Sequence, residues 1–352
     1  MAFLFFFIVS FTLSTIFVPF IIKIGTKFRL FDQPDIKRKR NYKEKVRIGG
    51  IAPFLSILLS IFICFFLNQF NIYPFEFELN YYLISSLIFY FFLGLFEDIY
   101  GIRLFKRLLM QILFGIFIWK FGYRVETLNL FFPFSNQFIF ELSNFTSLIF
   151  SILWFAGLVN AINWIDGLDG LAAGQSIIML LAISYICFQN NFLNESIIGI
   201  IIAGSFLGFL KYNYYPSSVL MGDGGSYLLG SSLAFLSLIS TSNFNQIYTQ
   251  PLSSNINLLI IYPILFIPLT DMIFVIAKRF LSNSSIFYPD RRHFHYYLHD
   301  SGINHNATVK IVICMTLFFS SVGVAIFTKN IFLIFFPFLI MAYQLYKSNI
   351  KS

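Results

Sequence analysis

Charge is what this chain of 352 residues has least of: Asp, Glu, Lys and Arg together make up 11% of it. A soluble globular domain carries about 25% charged residues. A chain this poor in charge cannot cover a water-facing surface of its size, which excludes a cytosolic enzyme and a disordered regulator. Cysteine is scarce as well. Cys64, Cys187 and Cys314 each lie inside an apolar run, where they read as small packing residues and not as a disulfide framework. Nor does the start resemble a cleaved leader. Met1–Ile22 lacks a positive n-region and a small-residue cleavage site, so it is expected to remain as a first span.

In place of charge the chain holds apolar residues, 58% of the total, with 50 Phe. A helix that crosses the hydrocarbon needs about 20 largely apolar residues. Such runs fall at roughly 2–22, 49–68, 81–96, 108–121, 145–162, 174–189, 195–211, 225–242, 256–278, 309–327 and 330–346. The expected fold is therefore all-α, a polytopic membrane protein with about eleven transmembrane helices. Between the fourth and fifth runs, residues 122–144 alternate Val, Thr, Leu and Phe around Pro133, which predicts a short extracytoplasmic β-hairpin. Residues 1–352 read as a single integral-membrane domain with no internal repeat, so the inverted-repeat plan of transporters gains no support.

The net charge of +8 is unevenly placed: ten of the 24 Lys and Arg lie between Lys23 and Arg47. A basic loop flanked by spans suits an anionic leaflet and needs no nucleic acid. With the N-terminus outside, 21 of the 24 cations fall on the inner face and only Lys120, Arg124 and Lys329 on the other. The positive-inside rule thus predicts an inner (cell) membrane protein with an extracytoplasmic N-terminus and a cytoplasmic C-terminus. All four His and most of the polar clusters fall on that inner face, in loops 23–48, 97–107, 163–173, 211–224 and 279–308, which are expected to form one site.

Four amides and acids, Asn160, Asn163, Asp166 and Asp169, recur every three residues, a spacing that keeps them on one side of a helical turn. One of them alone would read as a helix cap; four at the edge of the hydrocarbon point to a cation or a nucleoside. Gly222, Asp223, Gly224 and Gly225 open the eighth run. Their backbone N–H groups suit an anion, and a lone Asp suits Mg²⁺, which takes one or two carboxylates and fills its octahedron with water and phosphate oxygens. Glu97 and Asp98 end the third run; paired carboxylates at a membrane edge suit proton transfer. Arg103, Lys106 and Arg107 follow and could bind phosphate or anchor the helix end. His293 and His295, beside Arg291 and Arg292, lack the partners of a zinc set and suit phosphate. Asp271 lies within apolar sequence, either paired with Lys278 or Arg279 or directly functional.

In order, Asp32-Gln33-Pro34 with Arg47-Ile48-Gly49-Gly50, Glu97-Asp98 with Arg107 and Gln111, Asn160 through Gly170, Gly222-Asp223 with Gly225-Ser226, and Asp290 with His293 and His295 resemble the polyprenyl-phosphate N-acetylhexosamine-1-phosphate transferases, the membrane glycosyltransferase family 4 group. The resemblance spans about Asp32 to Gly302. It implies a phosphoglycosyltransferase of the simple amino-sugar branch: the phosphate of undecaprenyl or another polyprenyl phosphate attacks a UDP-N-acetylamino sugar, N-acetylglucosamine first among them, and UMP leaves. It also implies Mg²⁺, or Mn²⁺ in its place, held by Asn163 and Asp223. Asp169 would recognise uracil with Asp166 supporting that loop and Asn160 beside it. Asp98, with Glu97, would position or deprotonate the lipid phosphate. Arg107, His293 and His295 would bind phosphate or sugar. A homodimer is the family expectation. Three departures stand out: Glu97 replaces an Asp, Tyr296 replaces a third His, and Asn41 follows Arg38, Lys39 and Arg40 where the family carries His. Two rival readings are the phospho-MurNAc-pentapeptide translocase of the same family and, more distantly, an ion-coupled transporter using Asp271, Glu97 and Asp98.

Overall fold

Polar caps set where the apolar runs start. Asn80 accepts the Leu83 N–H at 3.1 Å, Ser143 that of Thr146 at 3.3 Å and Asn304 that of Ala307 at 2.8 Å, each satisfying a helix-start donor with no partner in its own helix. In the computed structural model, which describes residues 2–32, 44–70, 77–130, 138–241, 253–283 and 291–349, the helices are α1 (Ala2–Lys27), α2 (Ile51–Gln69), α3 (Tyr81–Tyr100), α4 (Leu104–Lys120), α5 (Asn144–Ile165), α6 (Leu171–Gln189), α7 (Leu193–Asn213), α8 (Gly222–Ser240), α9 (Leu258–Ile264), α10 (Phe266–Leu281), α11 (Phe294–Asp300), α12 (His305–Thr328) and α13 (Phe332–Asn349).

Each expected run coincides with a helix, but the count of eleven spans is not reached. Among the described residues seven helices are long and apolar enough to cross a membrane, or eight if the bent pair α9 and α10 is one span. The shortfall has physical reasons. α4 and α13 are short. α8 is rich in Ser and Gly and is buried from Gly224 to Ser240, so it lies inside the bundle, away from lipid. Its hydroxyls fold back on its own carbonyls, as Ser231 and Ser232 do on Leu228 at 3.0 and 2.6 Å, which keeps polar atoms satisfied in an apolar interior. The run expected as a straight ninth span breaks at Leu265 with a bend of 83°. Pro268, at the start of α10, has no N–H for the carbonyl of Ile264. The outer surface is apolar where lipid would lie: Phe62, Phe66, Leu153, Phe332, Phe335 and Phe336 are all exposed. This is a multi-pass membrane protein.

The expected hairpin is present in larger form. β1 (Arg124–Leu130) pairs antiparallel with β2 (Phe138–Glu141), Thr127 opposite Glu141. A third strand, β3 (Ser253–Asn257), runs parallel to β1 with Arg124 opposite Ser253, giving the order β2-β1-β3. Its short polar sequence carries no alternation, so the sequence held no signal for it. Pro133 lies outside the described residues.

Candidate active site

The site lies where α3 and α5 end and α8 begins. Gly222 turns the chain into α8 with φ +72°, a conformation that a side chain would strain. The helix start then faces Asp98. Both carboxylate oxygens accept its backbone N–H groups, Asp223 on Oδ1 and Gly224 on Oδ2, each at 2.9 Å. Arg47 Nε adds a third bond at 2.8 Å, and the Asp98 side chain is 1% exposed. Anion, helix dipole and guanidinium neutralise one another here. Asp98 is thus committed to holding α3 against α8. Close approach of the two helices needs Gly94, where a Cβ would strike the backbone carbonyl of Asp223.

Asp223 stands at the open edge of this junction. Asn163 donates to its Oδ1 at 3.0 Å and to Ser226 Oγ at 3.0 Å. Arg47 Nη2 lies 3.5 Å from Oδ1, and Arg107 Nη1 lies 3.7 Å from Oδ2. Arg107 also reaches Glu97 Oε1 at 3.5 Å, while Glu97 Oε2 is buried without a hydrogen-bond partner. Asn163, Asp223, Glu97, Asp98 and Arg107, distant in sequence, therefore meet. Asn160, one turn earlier on α5, donates instead to Gln111 Oε1 at 2.8 Å and to the carbonyl of Ala156, and so ties α5 to α4.

An extended strip, residues 44–48, supplies two cations and runs into the turn at Gly49-Gly50. Val46 bridges to Val219 and Phe31, and Gly49 and Gly50 donate to the carbonyls of Leu220 and Met221 at 3.0 and 2.9 Å. Side chains two apart on an extended chain share a face. Val46 turns inward at 3% exposure, and Lys45 and Arg47 turn the other way. Lys45 meets Asp169 at 2.9 Å and Ser217 Oγ at 2.7 Å, and Asp169 also accepts the Ser217 N–H at 3.1 Å. Burial disfavours the Asp169 anion, but Lys45 and Ser217 outweigh it and hold its carboxyl below the usual carboxylate range. Asp166 closes α5, its N–H donating to the carbonyl of Asn163. Arg47 was expected only as part of the motif with Gly49-Gly50 and was given no role, and Lys45 and Ser217 were not singled out; the signal available was the position of both cations just before Gly49-Gly50. His305 Nε2 lies 3.5 Å from the Asp169 carbonyl, and its ring stacks on Tyr215 at 4.3 Å.

The His motif packs against the same loop. Tyr296 OH donates to the carbonyl of Gly167 at 3.4 Å. The His293 ring lies 5.8 Å from Trp164 and 5.7 Å from His295. Burial pushes the His295 imidazole down to about 3, so it sits neutral. Asp271 does not pair with Lys278 or Arg279, one of the two alternatives its sequence left open: its carboxylate meets His293 Nδ1 and the Phe294 N–H, both at 2.7 Å. Arg279 instead lies over the Trp164 ring at 5.0 Å. Residues 33–43 and 284–290, including Pro34, Arg38, Lys39, Arg40, Asn41 and Asp290, lie outside the described residues.

Among the described residues no group of three or more His, Cys, Asp or Glu is arranged around a metal. Asp223 with Asn163 beside it is a one-carboxylate set. Turning the Asn163 amide over presents its Oδ1 to the same space. That donor set fits a hard ion completed by water and phosphate oxygens, and does not fit a metal held by protein alone.

The pattern of glycosyl transferase family 4 matches residues 80–241. A probable undecaprenyl-phosphate N-acetylglucosaminyl 1-phosphate transferase of Bacillus subtilis (strain 168) is 31% identical over 95% of this chain and 88% of its own length. A decaprenyl-phosphate N-acetylglucosaminephosphotransferase of Mycobacterium leprae is 27% identical over 76% of this chain and 69% of its own. A phospho-N-acetylmuramoyl-pentapeptide-transferase of Clostridium botulinum (strain Alaska E43 / Type E3) is 27% identical over 65% and 70%. The protein is a membrane-embedded member of a transferase class. It belongs to glycosyl transferase family 4.

Proposed function

We propose that the chain transfers an N-acetylamino-sugar 1-phosphate, N-acetylglucosamine 1-phosphate first among candidates, from a UDP-sugar to undecaprenyl or another polyprenyl phosphate at the cytoplasmic face of the membrane. The observation that carries this reading is the meeting of Arg47, Arg107, Asn163, Asp223 and Glu97 at one end of the bundle. Attack of one phosphate on another brings anions together, so fixed cations beside the reacting phosphorus are the main requirement. The names of the relatives support the same substrates, with N-acetylglucosamine in that of the relative matched over 95% of this chain.

The new bond joins an oxygen of the lipid phosphate to the sugar-linked phosphorus, and the bond to the UMP oxygen breaks. Mg²⁺, when bound by Asp223 and Asn163, supplies charge neutralisation to the diphosphate. Arg47 and Arg107 offset charge on the same oxygens and orient them. Glu97, with Oε2 uncommitted, is the carboxylate that serves as the base and takes a proton from the incoming phosphate. Asp98, fully engaged by α8 and Arg47, fixes the position of Asp223. Asp169 holds the loop beside the nucleotide through Lys45 and Ser217.

Purified protein in detergent, given Mg²⁺ and undecaprenyl phosphate, is expected to release UMP from UDP-N-acetylglucosamine. UDP-N-acetylmuramoyl-pentapeptide is the second arm, because clostridial relatives carry that name. Release from that donor alone would replace the amino-sugar reading, and release from no UDP-sugar would reject both.

A further inference from the structure

Asp271 lies in the second turn of α10, past the 83° break, and is 6% exposed. Its two oxygens serve neighbouring residues of another segment. Oδ2 lies 2.7 Å from His293 Nδ1, and Oδ1 accepts the Phe294 N–H at 2.7 Å. One bond fixes the backbone and the other fixes the ring. A carboxylate opposite a ring nitrogen can only accept, so Nδ1 carries the proton and Nε2 is left for another partner. The ring is further confined by Trp164 on one side and His295 on another. Trp164 directly follows Asn163, whose amide touches Asp223. His293 is thereby held against Trp164, the residue after Asn163 at the end of α5, by a residue from a different helix.

We propose that Asp271 is a positioning residue for His293: it holds Nδ1 protonated and turns the Nε2 lone pair, an acceptor, toward a hydroxyl of the sugar or a protonated phosphate oxygen of the bound substrate. The identity of that ligand rests on the function proposed above; the carboxylate–imidazole geometry does not. The competing role is structural, a cap for α11 alone. Asn at position 271 separates the two. It keeps a carbonyl oxygen for the Phe294 N–H, but it can turn an amide donor toward Nδ1, which moves the ring proton to Nε2. A ring held in the wrong tautomer costs far more in rate than in fold.

Two measurements test this. The first is ¹⁵N NMR of labelled protein, with the His293 ring assigned by its disappearance in His293→Ala; the chain has four His. The wild-type ring is expected as Nδ1–H, Asp271→Asn as Nε2–H and Asp271→Glu as Nδ1–H again. The second is UMP release. Asp271→Asn is expected to lower kcat by about 100-fold with KM little changed, Asp271→Glu to recover part of that loss, and Asp271→Asn with His293→Ala to be no slower than His293→Ala alone. An unchanged tautomer in Asp271→Asn, or losses that multiply in the double variant, overturns the proposal. If the wild-type chain releases no UMP from any UDP-sugar, the proposed function fails while the NMR arm still decides the role of Asp271.

Discussion

Replacing Asp98 by Asn separates a structural carboxylate from a catalytic one. In the wild type its oxygens accept two backbone N–H groups at 2.9 Å and Arg47 Nε at 2.8 Å, with 1% of the side chain exposed. Asn retains one accepting oxygen and turns an amide donor toward the other partners. At least one bond to a charged acceptor is lost, worth about 1.5–3 kcal/mol, and a buried donor is left without a partner at about 1–3 kcal/mol more. Part of this relaxes, because Arg47 is about one-third exposed and reaches water. A loss on the order of 2–4 kcal/mol of stability remains. The variant should therefore unfold at lower temperature in a detergent thermal-shift assay. Its remaining folded fraction should bind UDP-sugar weakly, because Asp223 is no longer held in place. Glu97→Gln, by contrast, should keep its melting temperature and lose turnover. If Asp98→Asn melts like the wild type and yet loses all turnover, Asp98 is the proton acceptor and the capping argument is wrong.

Other expectations follow from the same geometry. Gly94→Ala places a methyl group against the Asp223 carbonyl; separating α3 from α8 should cost about 1–3 kcal/mol and abolish UMP release, and a fully active, equally stable variant would contradict the packing. His295, pushed down to about 3 by burial, accepts a proton in the unfolded chain near pH 6.5 but not in the folded one. Stability should then fall as pH drops from about 6.5 toward 3, and His295→Phe should flatten that slope in a melting series. EDTA should stop UMP release and Mg²⁺ restore it, with Mg²⁺ raising the melting temperature of wild type but not of Asp223→Ala.

Helix positions were legible because hydropathy depends on composition along one stretch, and every apolar run did fold as helix. The span count was not legible, because α8 has the length of a span but serves as the bundle's interior, a role that only its packing partners reveal. The break at Leu265 had a written signal in Pro268, overridden by the apolar run around it. In the site, carboxylates and amides declared themselves by clustering where polar residues are costly. Their partners did not. Lys45 sat unremarked in a loop of ten cations and Arg47 was noted only as part of a motif, since nothing in sequence distance tells which of them an extended strip will bring to Asp169 and Asp98. Asp271 was recognised as unusual, but its partner was sought on its own helix, whereas the bend turned it toward His293.

The strip 44–48 also works as a ruler. Its two-residue pitch sends Lys45 to one buried acid and Arg47 to another while Val46 faces the opposite way. Shifting its register by a single residue would bring valine to an anion and strand both cations at once. An insertion or deletion between Lys45 and Ile48 is thus ruinous: two loops of the site are calibrated against each other by backbone spacing alone.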